Sequence, residues 1–137
     1  MTGSPGYPES PGFPAGEREP SRREKGRRGE DAAAAFLEGE GWMIVERNWR
    51  CPAGELDIVA TRNEDLAFVE VKTVDAFGPE SAERLLGAAK RRHIVDSSKY
   101  FLARKREYNR MRPRYDVILV RGFTVDRHIP QAFLEHP

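Results

Sequence analysis

Ala33, Phe36 and Leu37 recur at helical spacing ahead of Gly39 and Gly41 and predict a helix over 27–40. A strand follows over 42–48, then a Cys51-Pro52-Ala53-Gly54 turn and a second strand over 55–61. The polar link Arg62-Asn63-Glu64-Asp65 has the length that closes hairpins and leads into a third strand over 66–73. Gly78-Pro79 breaks the chain. Beyond it Leu85, Leu86, Ala89, Ile94, Tyr100 and Leu102 sit in a long, mainly helical segment, with Gly87 or Asp96-Ser97-Ser98 as its places of interruption. Pro113 ends helical structure, and the apolar run Val117-Ile118-Leu119-Val120 makes 115–120 a fourth strand buried on both faces. The weakly patterned remainder is expected to add an edge strand and a turn around Ala132-Phe133-Leu134.

Residues 1–25 are rich in Pro and Gly and have little to bury, so they are expected to be a disordered tail, with one domain over 26–137. Tyr7 and Phe13 are the tail's only aromatic residues. Cys51, the single cysteine, has no partner for an internal disulfide, and no apolar run reaches the length of a membrane span. These features exclude a disulfide scaffold and a bitopic membrane protein, and place the expected setting in the cytoplasm.

The formal net charge is only +1, but the charge is segregated. Positions 30–83 hold 13 acidic and 4 basic residues, a net −9; positions 84–114 hold 11 basic and 2 acidic, a net +9. The basic block suits a polyanion, because Lys and Arg contacts to phosphate release counterions. A solvated helix face is the plainer explanation for the same block. Lys90, Arg91 and Arg92 are the candidate phosphate contacts, and His93 reads as an ordinary surface histidine.

If Thr61 pairs with Leu66, counting back along both strands sets Asp57 opposite Glu70 and Glu55 opposite Lys72. Alternation then puts these four ionisable groups on one face and Leu56, Ile58, Val69 and Val71 on the other. Facing carboxylates, with Cβ atoms roughly 4.5–5.5 Å apart, destabilise a sheet unless a positive charge lies between them. A divalent cation such as Mg²⁺ resolves the conflict, since it takes one or two carboxylates and completes its shell with water and phosphate oxygen. Lys72, about 7 Å along the strand from Glu70, then lies within reach of a phosphate or an attacking water. This combination suits phosphodiester hydrolysis. Glu30 shares the apolar helix face of Ala33, Ala34 and Leu37; it either complements the helix dipole from the first turn or points into a site. Arg114 and Asp116 read as a structural ion pair, and His128 and His136 have no local partner.

Asp57 followed by Glu70-Val71-Lys72 at the end of a hydrophobic strand resembles the PD-(D/E)xK nuclease superfamily, which includes restriction endonucleases and Holliday junction resolvases. Gly26-Arg27-Arg28-Gly29-Glu30, Arg47-Asn48-Trp49-Arg50, Gly54-Glu55-Leu56-Asp57-Ile58-Val59-Ala60, Phe68-Val69-Glu70-Val71-Lys72 and Phe77-Gly78 together resemble, in order, the YraN-type family of bacterial proteins. The resemblance covers about residues 26–122. It implies an α/β restriction-endonuclease-like core, a central mixed β-sheet with an antiparallel hairpin flanked by helices. It further implies metal binding by Asp57 and Glu70 with the Val71 carbonyl, assistance to the water by Lys72, and an additional acid in Glu30. Leu56 stands where the superfamily name has proline. The expected cofactor is Mg²⁺ or Mn²⁺, and the expected partner is nucleic acid, DNA in the first instance, branched or otherwise processed. A resolvase-like reaction needs two sites and hence a homodimer. The competing expectations are a non-cutting nucleic-acid adaptor with the same fold and a protein-interaction domain whose basic block meets an acidic partner.

Overall fold

Ser21 accepts a hydrogen bond from the Glu24 N–H while Glu24 reaches back to the Ser21 N–H, a reciprocal cap that starts a helix earlier than expected. In this computed structural model, which describes residues 21–74 and 86–135, that helix is α1, Arg22–Gly39. The tail expected over residues 1–25 thus ends in helix from Arg22, and its residues 1–20 with Tyr7 and Phe13, the Phe77-Gly78-Pro79 break, Leu85 and His136 lie outside the described residues. Glu30 is therefore well inside α1, too far from its start to complement the dipole there.

Five strands follow: β1 Met43–Cys51, β2 Gly54–Arg62, β3 Asp65–Val74, β4 Arg112–Arg121 and β5 Thr124–Phe133. They form one mixed sheet in sequential order, antiparallel throughout except for the parallel β3–β4 pair. The second helix, α2 Ala88–Arg104, lies between β3 and β4 in the chain, as a parallel connection requires. Of the two expected interruptions, Gly87 is the helix boundary, and α2 runs unbroken through Asp96-Ser97-Ser98. Ser98 turns its hydroxyl back to donate to the Val95 carbonyl at 2.6 Å, which leaves its oxygen to accept from the Tyr115 hydroxyl at 2.8 Å. A polar triplet that reads as a loop thus serves helix and sheet together.

The helices cover opposite faces of the sheet. Ala33, Ala34 and Leu37 of α1 pack with Ile58, Ala60, Ala67, Val69, Ile118 and Val120. Ile94, Val95 and Phe101 of α2 pack with Val59, Leu66, Phe68, Val117 and Leu119. β4 is buried on both sides, as its apolar run predicts, and β5 continues as strand to Phe133 where a turn was expected. This is the expected α/β class, and its arrangement is consistent with a restriction-endonuclease-like core. No helix among the described residues is long and apolar enough to cross a membrane.

The hairpin register is as expected, with Thr61 opposite Leu66 and Ile58 opposite Val69. One assignment of faces is not. Leu56 belongs with the α2-side cluster instead of sharing the face of Ile58, so the alternation of β2 breaks at Asp57. Across the sheet, β1 places Asn48 between the Arg47–Ile58 and Trp49–Leu56 pairs, with a left-handed φ of 52° that asparagine adopts more readily than most residues.

On the α1 face the fully buried Asp116 sits at a β4–β5 bulge and accepts four hydrogen bonds. These come from Arg114 Nε at 3.0 Å and Nη2 at 2.8 Å, His128 Nε2 at 2.7 Å and the Gln131 N–H at 3.0 Å. Burial alone would raise this carboxyl, but the hydrogen bonds from His128, Arg114 and Gln131 outweigh it and hold it below its ordinary value. The expected Arg114–Asp116 pair is present, and His128, which has no partner in the local sequence, completes it. Asp116→Ala leaves Arg114 and His128 facing an apolar gap and should destabilise the fold by about 3–5 kcal/mol, measured as a fall in the urea midpoint at unchanged slope.

Candidate functional site

The β2–β3 ladder ends at Ile58–Val69, one residue short of Asp57 and Glu70. The next donor along β3, the Val71 N–H, is taken by Asp57 Oδ2 at 2.9 Å. A carboxylate side chain thus stands where a backbone carbonyl of β2 would otherwise continue the ladder. The Asp57 and Glu70 carboxyls are neighbours at this point, and each acts on the other's ionisation. A strand residue's N–H and C=O point to the same edge, so the Val71 carbonyl also faces the β2 side beyond the last ladder pair.

Glu70 is buried, 7% exposed, and its only ion-pair partner among the described residues is Lys90 of α2, Nζ to Oε2 at 3.4 Å. Burial pushes Glu70 up, opposed by Lys90 and more weakly by Lys72, and the net direction is upward. Burial likewise raises Asp57, the neighbouring Glu70 charge raises it further, and the Val71 N–H only partly compensates, leaving Asp57 at about 7 against an ordinary 3.8. Glu30 approaches from α1. Its carboxyl is raised by burial and by Asp57, and lowered by a hydrogen bond to Asn48 and by Arg47. Three acids from two strands and a helix therefore resist ionising together. Burial is the largest cause for each of them, and Lys90 offsets only part of it at Glu70.

Glu30, Asp57, Glu70 and Lys72 are gathered at one place in the sheet, Lys72 on the exposed end of β3. Glu55 is not opposite Lys72: the ladder stops first, Lys72 is registered with Leu119 of β4, and Glu55 pairs with Arg50 of β1 at 3.0 Å. The basic triplet divides. Lys90 turns to Glu70, while Arg91 and Arg92 line a cleft of about 650 Å³ between α2 and the end of β5, with Val95 and Phe133. Neither this cleft nor one of about 520 Å³ at the start of β4 contains an acid of the cluster.

Among the described residues, no three His, Cys, Asp or Glu side chains converge closely enough to hold a metal by themselves. Asp57, Glu70 and the Val71 carbonyl form a hard-oxygen set of the kind that suits Mg²⁺ or Mn²⁺, which complete their shells with water and substrate. Asn48 is the residue sequence reasoning left without a role. An asparagine interrupting a strand is the signal, because that side chain tolerates φ > 0 and can hydrogen-bond an acid across the sheet.

Fold and site together define a small α/β protein with an acidic cluster where the central hairpin's ladder ends. The chain belongs to Uncharacterised protein family UPF0102, whose profile matches residues 29–120 and so spans α1 from Gly29 to Val120 of β4. It is 45% identical over 111 residues to a UPF0102 protein of Syntrophotalea carbinolica, covering 79% of this chain and 89% of that one. It is 40% identical over 111 residues to one of Treponema pallidum, 77% and 88% covered, and 42% identical over 116 residues to one of Myxococcus xanthus, 82% and 90% covered.

The raised Asp57 has a direct consequence for stability. Between the ordinary carboxyl value of 3.8 and about 7 the folded chain holds a proton that the unfolded chain releases, so this group makes stability fall as pH rises through that window. Urea midpoints in EDTA should decline from pH 5 to pH 8, and the decline should be smaller in Asp57→Asn. Equal declines in the two proteins would show that Asp57 ionises as freely in the fold as outside it.

Proposed function

We propose that this protein is a metal-dependent nuclease of the PD-(D/E)xK type that hydrolyses phosphodiester bonds in DNA, branched or otherwise processed DNA being the preferred form. The observation that supports it most is the buried Asp57–Glu70 pair beside the Val71 backbone, with Lys72 two residues further along the same strand. A protein that only binds gains nothing from two carboxylates that oppose each other's ionisation. In this reading Asp57 and Glu70 hold Mg²⁺ or Mn²⁺ with the Val71 carbonyl, and Glu30, kept close by Asn48, adds negative charge at the back of the site. A bound divalent ion supplies charge stabilisation at the phosphate and lowers the pKa of water. Lys72, exposed and flexible, orients the attacking water or neutralises charge growing on phosphate. Arg91 and Arg92 serve the nucleic acid beside the cluster, and Lys90 does so from its place at Glu70. The cytoplasm is the proposed setting, and a four-way substrate would call for a homodimer.

One observation favours a second reading, a non-cutting adaptor on the same fold. The Lys90 ammonium already pairs with Glu70, so the cluster has a cation of its own.

A cleavage panel of linear, nicked, flapped and four-way DNA with Mg²⁺ or Mn²⁺ separates the two. Asp57→Ala should lose divalent-metal binding and cleavage together. Lys72→Ala should keep the metal, because ammonium is not a ligand, while its single-turnover rate falls by roughly 10²-fold or more. A parent protein that binds DNA, cuts no substrate and behaves like both variants would retire the enzyme in favour of the adaptor.

A further inference from the structure

Residues 22–28 read Arg-Arg-Glu-Lys-Gly-Arg-Arg, five bases and one acid. They belong to α1, yet that helix comes close against the sheet at Gly29, where an added Cβ would stand 3.5 Å from Thr73 Oγ1 and 3.6 Å from Val120 Cγ1. Thr73 and Val120 lie at the carboxyl ends of the parallel strands β3 and β4. Further along α1, Ala33 and Leu37 pack over Ile58, Ala60 and Ala67, toward the start of β3. The turns before Gly29 therefore run past the strand ends, by roughly 10 Å at the rise of an α-helix. Arg23, Arg27 and Arg28 are exposed on this arm. Arg23 and Arg27 are like charges four residues apart on this arm, with Glu24 the acid between them in sequence.

Phe123, in the β4–β5 turn at the same end of the sheet, is 47% exposed, and the Arg28 guanidinium lies 5.1 Å from its ring centroid. Glu30 follows directly after Gly29, so the arm adjoins the acid cluster through Glu30 on the α1 face. Glu70 and Lys72 alternate to the α2 face, where Lys90 reaches Glu70. The helix terminus itself is not the recognising element, since the Ser21 side chain already takes the Glu24 N–H and the Glu24 carboxylate the Ser21 N–H. The available chemistry is a row of guanidinium groups with an exposed aromatic ring beside it, which suits a sugar-phosphate backbone with unpaired bases.

We propose that Arg23, Arg27 and Arg28 with Phe123 form a tracking surface for a single-stranded or locally unpaired nucleic-acid segment and deliver it to the acid cluster. The arginines contact phosphates and Phe123 stacks on a base. This rests on the nucleic-acid reading above and names the surface that holds the substrate.

The test uses the full chain in EDTA, with labelled single-stranded and duplex oligonucleotides titrated at several salt concentrations. The Arg23→Gln, Arg27→Gln, Arg28→Gln triple variant should bind more weakly, with the slope of log K against log salt reduced by about 2 to 3, one increment per lost phosphate contact. Phe123→Ala should weaken single-strand binding by roughly 5- to 100-fold, the range of one lost stacking contact, and duplex binding much less. Circular dichroism checks that both variants keep the parent's helix content. An unchanged slope in the folded triple variant overturns the proposal, as does a parent that binds no oligonucleotide or one that binds polyglutamate with the same dependence on the arm. Cleavage is scored separately. A parent that cuts while the triple variant keeps its slope retires the arm alone, and a parent that never cuts while the variant loses its slope retires the nuclease and keeps the arm.

Discussion

The hydrogen bond from the Val71 N–H to Asp57 Oδ2 is the contact on which the candidate site depends. In a regular ladder that donor would meet a backbone carbonyl of β2, and Asp57 would be one more residue on a strand. Because β2 stops pairing at Ile58, the carboxylate takes the place of the missing carbonyl and is held against β3 beside Glu70. The same break moves Leu56 to the α2 face and leaves the Val71 carbonyl on an edge without a partner from the ladder. Asn48, with its left-handed backbone opposite Asp57, shows that β1 departs from regular geometry at the same level. Three strands depart from regular pairing at one point, and the acids collect there.

Two carboxyl clusters in this protein show what such a group costs and how the cost is met. Asp116 is more deeply buried than Asp57, yet Arg114, His128 and the Gln131 N–H supply so many donors that its carboxyl is held below its ordinary value. Asp57 has one backbone donor and an acidic neighbour, and goes up to about 7. The physical difference is the number of donors, since both carboxylates lie in the same sheet. A fully satisfied buried acid needs nothing further and acts as structure. An under-satisfied pair has room for a cation, which is why the functional reading centres on β2 and β3 while Asp116 is left to hold β4 against β5.

The helices complete the electrostatics from opposite faces. α1 brings Glu30 toward Asp57 and so adds negative charge, while α2 brings Lys90 to Glu70 and subtracts it. The steep segregation of charge along the chain, acidic over 30–83 and basic over 84–114, thereby becomes a close juxtaposition in space. The basic block alone does not define an interface, because Lys90 turns to the acids while Arg91 and Arg92 turn toward the end of β5. Bases that share a run of sequence are about 100° apart around a helix and meet different neighbours.

Local patterning determined the elements, the hairpin and its register, because a four-residue link and a period of two leave few ways to pair β2 with β3 without exposing apolar side chains. It also singled out the residues on which the proposed chemistry rests: Asp57, Glu70 and Lys72 stand out as charges in apolar strands. The start of α1 was written in Ser21 and Glu24, but a composition rich in Pro and Gly just before them made that stretch read as tail. Only the tertiary structure decided the rest. That β3 and β4 run parallel, that Lys90 lies at Glu70 and Glu55 at Arg50, and that His128 completes the Asp116 network depend on which elements become neighbours. Neighbours across a sheet or between layers are set by how the apolar faces of the described helices and strands bury one another. That is a property of the assembled core and is not encoded in any one segment.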